Sequence, residues 1–180
     1  EFRRVLFRSL ATGAVGLSVP ALAEAQIPSV NEAINRAGRQ RMLSQRMAKA
    51  WLALGQGVDK PRAEKILHDS ITLFERQLDE LKAFAPTPGI QATYAALEPA
   101  WQTYKRGLLQ GQPQRARADD ILSWDAQVLK LAHAGTTQLE AYSGRNVGKL
   151  VNISGRQRML SQRAAKFYLS QTWGMASADK

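Results

Sequence analysis

The side chains best suited to chemistry in this chain belong to a nine-residue motif that occurs twice. Gly-Arg-Gln-Arg-Met-Leu-Ser-Gln-Arg runs from Gly38 to Arg46 and again from Gly155 to Arg163, 117 residues later. A hydrophobic core needs apolar residues at suitable spacing and tolerates exchanges of similar size. The exact recurrence of Arg, Gln and Ser therefore indicates a specific role for their polar atoms. Because a guanidinium is a planar fork of donors that matches oxyanions such as nitrate or carboxylate, the motif predicts an anion site.

Helical geometry separates the packing residues of the motif from the candidate binding residues. At about 100° per residue, Leu43 and Met47 share one apolar stripe, whereas Arg41 lies in an opposed stripe of small residues. A helix with two such stripes packs on both sides, and the small residues allow a partner helix to come close. In a symmetric dimer two copies of Arg41 would converge and require an anion between them. The candidate ligand-binding residues are Gly38, Arg41 and Gln45 in the first copy and Gly155, Arg158 and Gln162 in the second.

The identity of the two copies extends, in weaker form, beyond the nine residues. Asn35 and Lys49 recur as Asn152 and Lys166 at the same offset. Other interpretations of the basic residues stay open, since most charges on a helix belong to a solvated face. Arg41 and Arg158 could also have a structural role, such as an ion pair with an acidic residue of another helix. The two roles differ in whether Arg41 is exposed to ligand or sealed against a carboxylate.

The elements that must position these residues are all predicted to be helices. Helical periodicity predicts helices over 34–54, from 61 to the stop at 86–89, over 94–108, over 115–142 and over 150–173. Asp59 is placed to cap the second helix, and Pro99 should kink the third or delay its start. Four helices with short connections predict an all-α, antiparallel up-down four-helix bundle. Residues 143–148 resemble a loop, although the fourth and fifth helices could also form one bent rod.

The predicted domains follow from this order of elements. Residues 24–143 form the bundle, and residues 150–180 form the first helix of a second, incomplete module, because each motif copy opens a bundle. Residues 1–23 are predicted to be a secretory signal peptide, with basic residues, a mildly apolar stretch and Ala21-Leu22-Ala23 before the cleavage point. Paired arginines also occur in twin-arginine signals, but the flanking pattern favours the general pathway. The mature chain is therefore expected to be periplasmic, and no segment approaches the roughly 20 apolar residues of a spanning helix.

Composition excludes several classes of function. The chain has no cysteine, which excludes disulfides and thiolate chemistry, and its only histidines, His68 and His133, are far apart in sequence. We therefore expect no metal site, no cofactor and no catalytic triad. Without paired carboxylates or a nucleophile with its base, an enzyme is not expected. The net charge of +10 favours acidic partners, and for an exported chain these are small anions or an anionic membrane surface rather than nucleic acid.

The residues from Ile34 to Lys49 resemble the signature of a known sensor family. They are similar to the amino-terminal sensor domain of type IV pili methyl-accepting chemotaxis transducers, the PilJ-type domain. They are more distantly similar to the periplasmic P-box of the NarX and NarQ nitrate-sensing histidine kinases. The resemblance implies a periplasmic helical bundle, often dimeric, whose first helix carries the signature at the subunit interface. In the nitrate sensors the motif glycine and the arginine three residues later contact the anion, which implies roles for Gly38, Arg41, Gly155 and Arg158.

Two functional hypotheses follow. The leading hypothesis is an exported, sensor-like domain that binds a small inorganic anion of nitrate or nitrite type at a helix or dimer interface. It would pass occupancy to a homodimeric or helical signalling partner, since a ligand at a helix pair can shift the packing of the helices. The alternative is a structural module in which the motif mediates helix packing and dimerisation without a ligand.

Overall fold

The computed structural model describes residues 27–144 and 146–175, and within them the chain is helical with no strand. The helices are α1 (Val30–Gly55), α2 (Lys60–Phe84), α3 (Pro88–Leu109), a short 3-10 turn (Arg115–Arg117), α4 (Ala118–Ser143) and α5 (Asn146–Thr172). The all-α class is confirmed. The signal peptide predicted at residues 1–23 lies outside the described residues. None of the described helices is long and apolar enough to cross a membrane.

The helix ends follow local capping chemistry with one exception. The Ser29 hydroxyl accepts a hydrogen bond of 3.2 Å from the main-chain N–H of Glu32 at the start of α1. Thr87 caps α3 in the same way, with Pro88 in the first turn. The predicted capping role of Asp59 is wrong: Asp59 precedes α2 in a left-handed conformation (φ 39°), and its side chain makes no capping hydrogen bond. Helix α3 begins at Pro88 and runs on through Pro99, so that residue does not delay its start.

Helices α1 to α4 pack as a bundle in which sequence neighbours run in opposite directions. Along α1 and α2, Arg36 contacts Glu80 and Gln40 contacts the main chain of Phe74, so the residue numbers change in opposite senses. The bundle core is mostly aliphatic, and its largest buried side chains are mainly aromatic. Trp101 stacks on Phe74 with ring centroids 4.2 Å apart and meets Tyr104 edge-on.

Helix α5 folds back onto the bundle and packs along α1. Gly144 ends α4 with a positive φ of 58°, a left-handed conformation that suits glycine. Because α5 begins at Asn146 and runs antiparallel to α4, the predicted loop at 143–148 is too long and the bent rod is wrong. Along α1 and α5 the contacts run in the same direction, from Gly38 with Gly155 to Gln56 with Leu169. The second apolar stripe of α1 is therefore covered by a parallel helix of the same chain.

Candidate functional site

The two copies of the motif meet at their glycines. A methyl group placed on Gly155 would lie 3.4 Å from the Cα of Gly38 and 3.4 Å from Nη2 of Arg41. A methyl group on Gly38 would lie 3.7 Å from the Cα of Gly155. The backbones of α1 and α5 are thus in direct contact at this crossing, with space for at most a methyl group. The glycines cost each helix about 1 kcal/mol relative to alanine, and the close approach of the two helices accounts for their presence.

Equivalent hydrogen bonds cross between the helices in both directions. Nη2 of Arg41 donates to Oδ1 of Asn152 over 2.6 Å and to its main-chain oxygen over 3.3 Å. In return, Nη2 of Arg158 donates to Oδ1 of Asn35 over 3.0 Å. The asparagines occupy the same position of the repeat, and so do the arginines. The α1–α5 pair therefore has the pseudo-two-fold symmetry that identical subunits would produce in an isologous interface.

Arg41 is buried without a carboxylate partner. Arg41 is 1% exposed, and its Nη1 lies 3.2 Å from Nδ1 of His133 on α4. Its Nε is buried with no hydrogen-bond partner, and no carboxylate of the described residues forms an ion pair with the guanidinium. Burial lowers the pKa of Arg41, and the charge of Arg156 lowers it further, against the opposite effect of Glu140, which reaches Arg41 only through Asn152. Arg41 is thus neither exposed to ligand nor sealed against a carboxylate.

Arg158 occupies the equivalent position on α5 but is exposed. It borders an open groove of about 670 Å³ between the amino-terminal parts of α1 and α5, with Asn35, Arg36, Val151 and Ser154 along its walls. Arg36 is neutralised there by ion pairs with Glu32 and Glu80. Arg158 is therefore accessible to solutes in this arrangement of the helices. Arg41 becomes accessible to the same solutes only if α1 and α5 separate.

The two candidate glutamines belong to a second, deeper network. Nε2 of Gln45 lies 2.8 and 3.0 Å from the two carboxylate oxygens of Asp125 on α4. The ammonium of Lys166 donates to the same carboxylate over 2.7 Å, and all three side chains are buried. Gln162, the counterpart of Gln45, accepts a hydrogen bond of 2.6 Å from Lys49 instead. Burial lowers the pKa of Lys49, as do the charges of Arg46 and Arg62.

The structure thus brings three predicted residues, Gly38, Arg41 and Gly155, into direct contact. Arg158, Gln45 and Gln162 line the same helix pair but have separate partners. The sequence did not indicate His133 and Asp125, which contact the helix pair from α4. Both lie outside the repeated motif, so the comparison of its two copies could not identify them. The described residues contain no cluster of three or more His, Asp or Glu side chains that could hold a metal ion.

Comparison with known proteins identifies the family of the chain. Residues 23–124, more than half of the chain, match the family described as type IV pili methyl-accepting chemotaxis transducer N-term, PilJ. This match includes the first motif copy and ends within α4. Neither a curated protein nor a solved structure matches the chain. The chain therefore belongs to the PilJ family of sensor-type, amino-terminal domains of chemotaxis transducers.

Proposed function

We propose that this sensor-type domain binds a small planar oxyanion, of nitrate or nitrite type, at the α1–α5 pair. The observation that carries the proposal is the state of Arg41, a buried guanidinium with an unpartnered Nε and no ion pair to a described carboxylate. A buried charge without a direct ion pair is costly, and the carboxylate of Glu140 reaches Arg41 only through Asn152. A small anion would offset this cost, and its planar oxygens match the donors that the guanidinium fork presents.

The binding step would act directly on the helix pair. An anion that accepts from Nε and Nη2 of Arg41 takes the place of Oδ1 of Asn152, which belongs to α5. Occupancy therefore exchanges a bond between the two helices for a bond to ligand, and the ligand favours the packing in which Arg41 is accessible. Gly38 and Gly155 permit the close approach, while Gln45 and Gln162 hold the pair further along. The exposed Arg158 provides an equivalent position for initial contact with the anion.

The signal would pass through the helix pair to a partner. Domains of this family belong to signalling transducers, so a signalling partner is expected for the chain. The face of α1 that the sequence predicts for a homodimer is covered here by α5. We therefore place the site within one chain, in the periplasm as the predicted signal peptide implies, with a helical signalling partner that follows the position of α5 relative to α1.

A thermal unfolding series tests the anion. The chain is melted in sodium nitrate, nitrite, sulfate and chloride at equal ionic strength, together with Arg41→Gln, Arg158→Gln and the control Arg106→Gln, an exposed position on α3. Nitrate or nitrite should stabilise the wild-type chain and the control by about 2.7 kcal/mol at one hundred times Kd. Arg41→Gln should lose this response. An equal response in Arg41→Gln would exclude the site at Arg41, and no selective response in any chain would exclude the anion.

The packing module remains the second candidate because one observation favours it. The glycine contact and the reciprocal Arg–Asn hydrogen bonds satisfy much of the interface without a ligand. If packing is the whole function, Arg41→Gln lowers the unfolding free energy by the same amount in nitrate and in chloride. If the anion binds, the loss is larger in nitrate, because the wild-type chain alone gains from the ligand.

A further inference from the structure

The pseudo-symmetric network of the α1–α5 pair is complete on one side only. On the α4 side, Gln45 and Lys166 hold the carboxylate of Asp125 between them. On the opposite side, the same positions of the repeat are Gln162 and Lys49, and these side chains bind each other. No carboxylate of the described residues forms an ion pair with Lys49. The second half of the network therefore has the donors of the first half without its acceptor.

The outer face of α5 is exposed where the equivalent face of α1 is buried. Leu160 and Tyr168 are 41% and 67% exposed, whereas Leu43 and Trp51, at the same positions of the first copy, are 0% exposed. Leu150 and Ile153 extend the exposed apolar surface toward the start of α5. In the first copy, the equivalent surface is covered by the other helices of the bundle. The apolar surface and the incomplete polar network thus both lie where a bundle would cover α5.

We propose that the outer face of α5, together with Lys49 and Gln162, is a docking surface for an acidic amphipathic helical partner. One helix of this partner lies on α5 as α4 lies on α1, and it places a carboxylate between Lys49 and Gln162. Because Leu160 lies about 200° from Gln162 around α5, a second helix of the partner, placed as α2 is on α1, covers Leu160 and Tyr168 with its apolar residues. This inference does not depend on the anion of the proposed function, because Arg41 takes no part in it.

Charge decides the class of partner. Three basic residues, Lys149, Arg156 and Arg163, lie beside the exposed apolar residues of α5, and the helix has no acidic residue between Asn146 and Thr172. A second copy of α5 on this face would bring like charges together, which opposes association. An acidic helix is complementary to the face, and it also supplies a counter-charge for the half-buried Lys49. Helix α4 of this chain is such a helix, because its first turn carries Asp119 and Asp120 and it holds Asp125 against Lys166.

The test supplies α5 with helices α2 to α4 of this chain, which already pack on the first copy of the motif helix. A second copy of residues 59–143 is joined directly after Met175, which preserves the 117-residue register of the repeat. Because the chain lacks cysteine, Leu160→Cys reports the accessibility of the outer face through its rate of modification by a thiol reagent. Ser123→Cys on the original α4, which is exposed, is the control. We expect the added copy to slow modification at Leu160→Cys by about tenfold or more and to leave the control unchanged.

Two further arms make the result specific. In the added copy, the counterpart of Asp125 is changed to Asn, which should restore part of the modification rate at Leu160→Cys. An unchanged rate at Leu160→Cys in the extended chain, whether the added copy folds elsewhere or stays unfolded, would overturn the proposal. Acetate is also titrated into the original chain while the side-chain amide of Gln162 is followed by NMR. Acetate could shift the NMR signal of Gln162 while the modification rate of Leu160→Cys in the extended chain stays unchanged. That result would show that Lys49 and Gln162 bind free carboxylates, and it would contradict the proposal of a helical partner.

Discussion

At the residue scale, Arg41 is held by an amide and an imidazole where a carboxylate would be usual. Because its Nη1 carries only hydrogens, Nδ1 of His133 must accept, which places the histidine proton on Nε2. Such a pair works only while His133 is neutral. Burial lowers the pKa of His133, as do the charges of Arg41 and Arg156, against the opposite effect of Glu140.

The lowered pKa of His133 predicts a pH dependence of stability. The unfolded chain binds this proton more readily than the folded chain, so the contribution of His133 to stability is complete above about pH 7. It is lost as the pH falls from about 6.5, the usual histidine pKa, through the lowered pKa of the folded chain. His133→Gln should therefore flatten the dependence of the unfolding free energy on pH between about 7.5 and 5, measured by urea denaturation. His68→Gln, at an exposed position on α2, is the control. An unchanged slope in His133→Gln would contradict this assignment.

The sequence marks candidate residues only to the extent that they repeat. Gly38, Arg41 and Gln45 are candidates because their types recur without any packing reason for identical polar atoms. His133 and Asp125 were not found, because a single polar residue on an amphipathic helix resembles a solvated one until its neighbours are known. The spacing of a helix gives the direction of a side chain, but it does not give the element that the side chain meets.

At the scale of the elements, the two lysines of the repeat should have unequal effects on stability. Lys166→Met leaves the buried carboxylate of Asp125 without its cation and should lower the unfolding free energy by about 3–5 kcal/mol. Lys49→Met removes a half-buried ammonium that is bound to an amide, and it should change the unfolding free energy by less than about 1 kcal/mol. Chemical denaturation of both variants measures the difference. Equal losses would show that the two halves of the network are equivalent in the free chain.

The docking of α5 should depend on one glycine at the end of α1. A Cβ at Gly55 would lie 2.1 Å from the ring of Trp173, which packs beside Trp51. Gly55→Ala should therefore displace this ring, lower the unfolding free energy by about 1–3 kcal/mol and speed hydrogen exchange in α5. Gly89→Ala, which meets nothing within 4 Å, is the matched control and should be neutral or slightly stabilising. Equal rates of hydrogen exchange in α5 in the two variants would contradict the prediction that Gly55 is needed for the packing of α5.

The element order was largely predictable, whereas the identity of the partner helix was not. Periodicity gave the ends of each helix to within six residues, the largest difference being the start of α3. The cap formed by Ser29 explains why α1 begins at Val30 rather than at Ile34. The second stripe of α1 predicted a close partner but fits two arrangements equally well. A second chain would present the same motif, and so does α5, because residues 155–163 repeat residues 38–46. Only the fold distinguishes the two.

At the scale of the whole molecule, the repeat predicts that a second chain can replace α5. A chain that ends at Ser143 exposes the face of α1 around Ile34 and Gly38. We expect this shortened chain to dimerise through α1, because its partner would present the same nine residues as α5. Sedimentation of the shortened chain measures this association. Gly38→Leu in the shortened chain should abolish it by preventing close approach, and a shortened chain that stays monomeric at full stability would contradict the equivalence.

The short connection at Gly144 determines how the pairing of the two motif helices depends on protein concentration. Because α4 and α5 are joined by this short connection, the second motif copy is present near α1 at a fixed effective concentration. In a sensor made of two separate subunits, pairing of the motif helices depends on how much protein is expressed. Here it is a unimolecular equilibrium, so the balance between closed and open pairs is independent of copy number. Under the proposed function, the anion concentration at which the domain responds would then depend on the affinity of the open pair and on this internal equilibrium, and not on the level of expression.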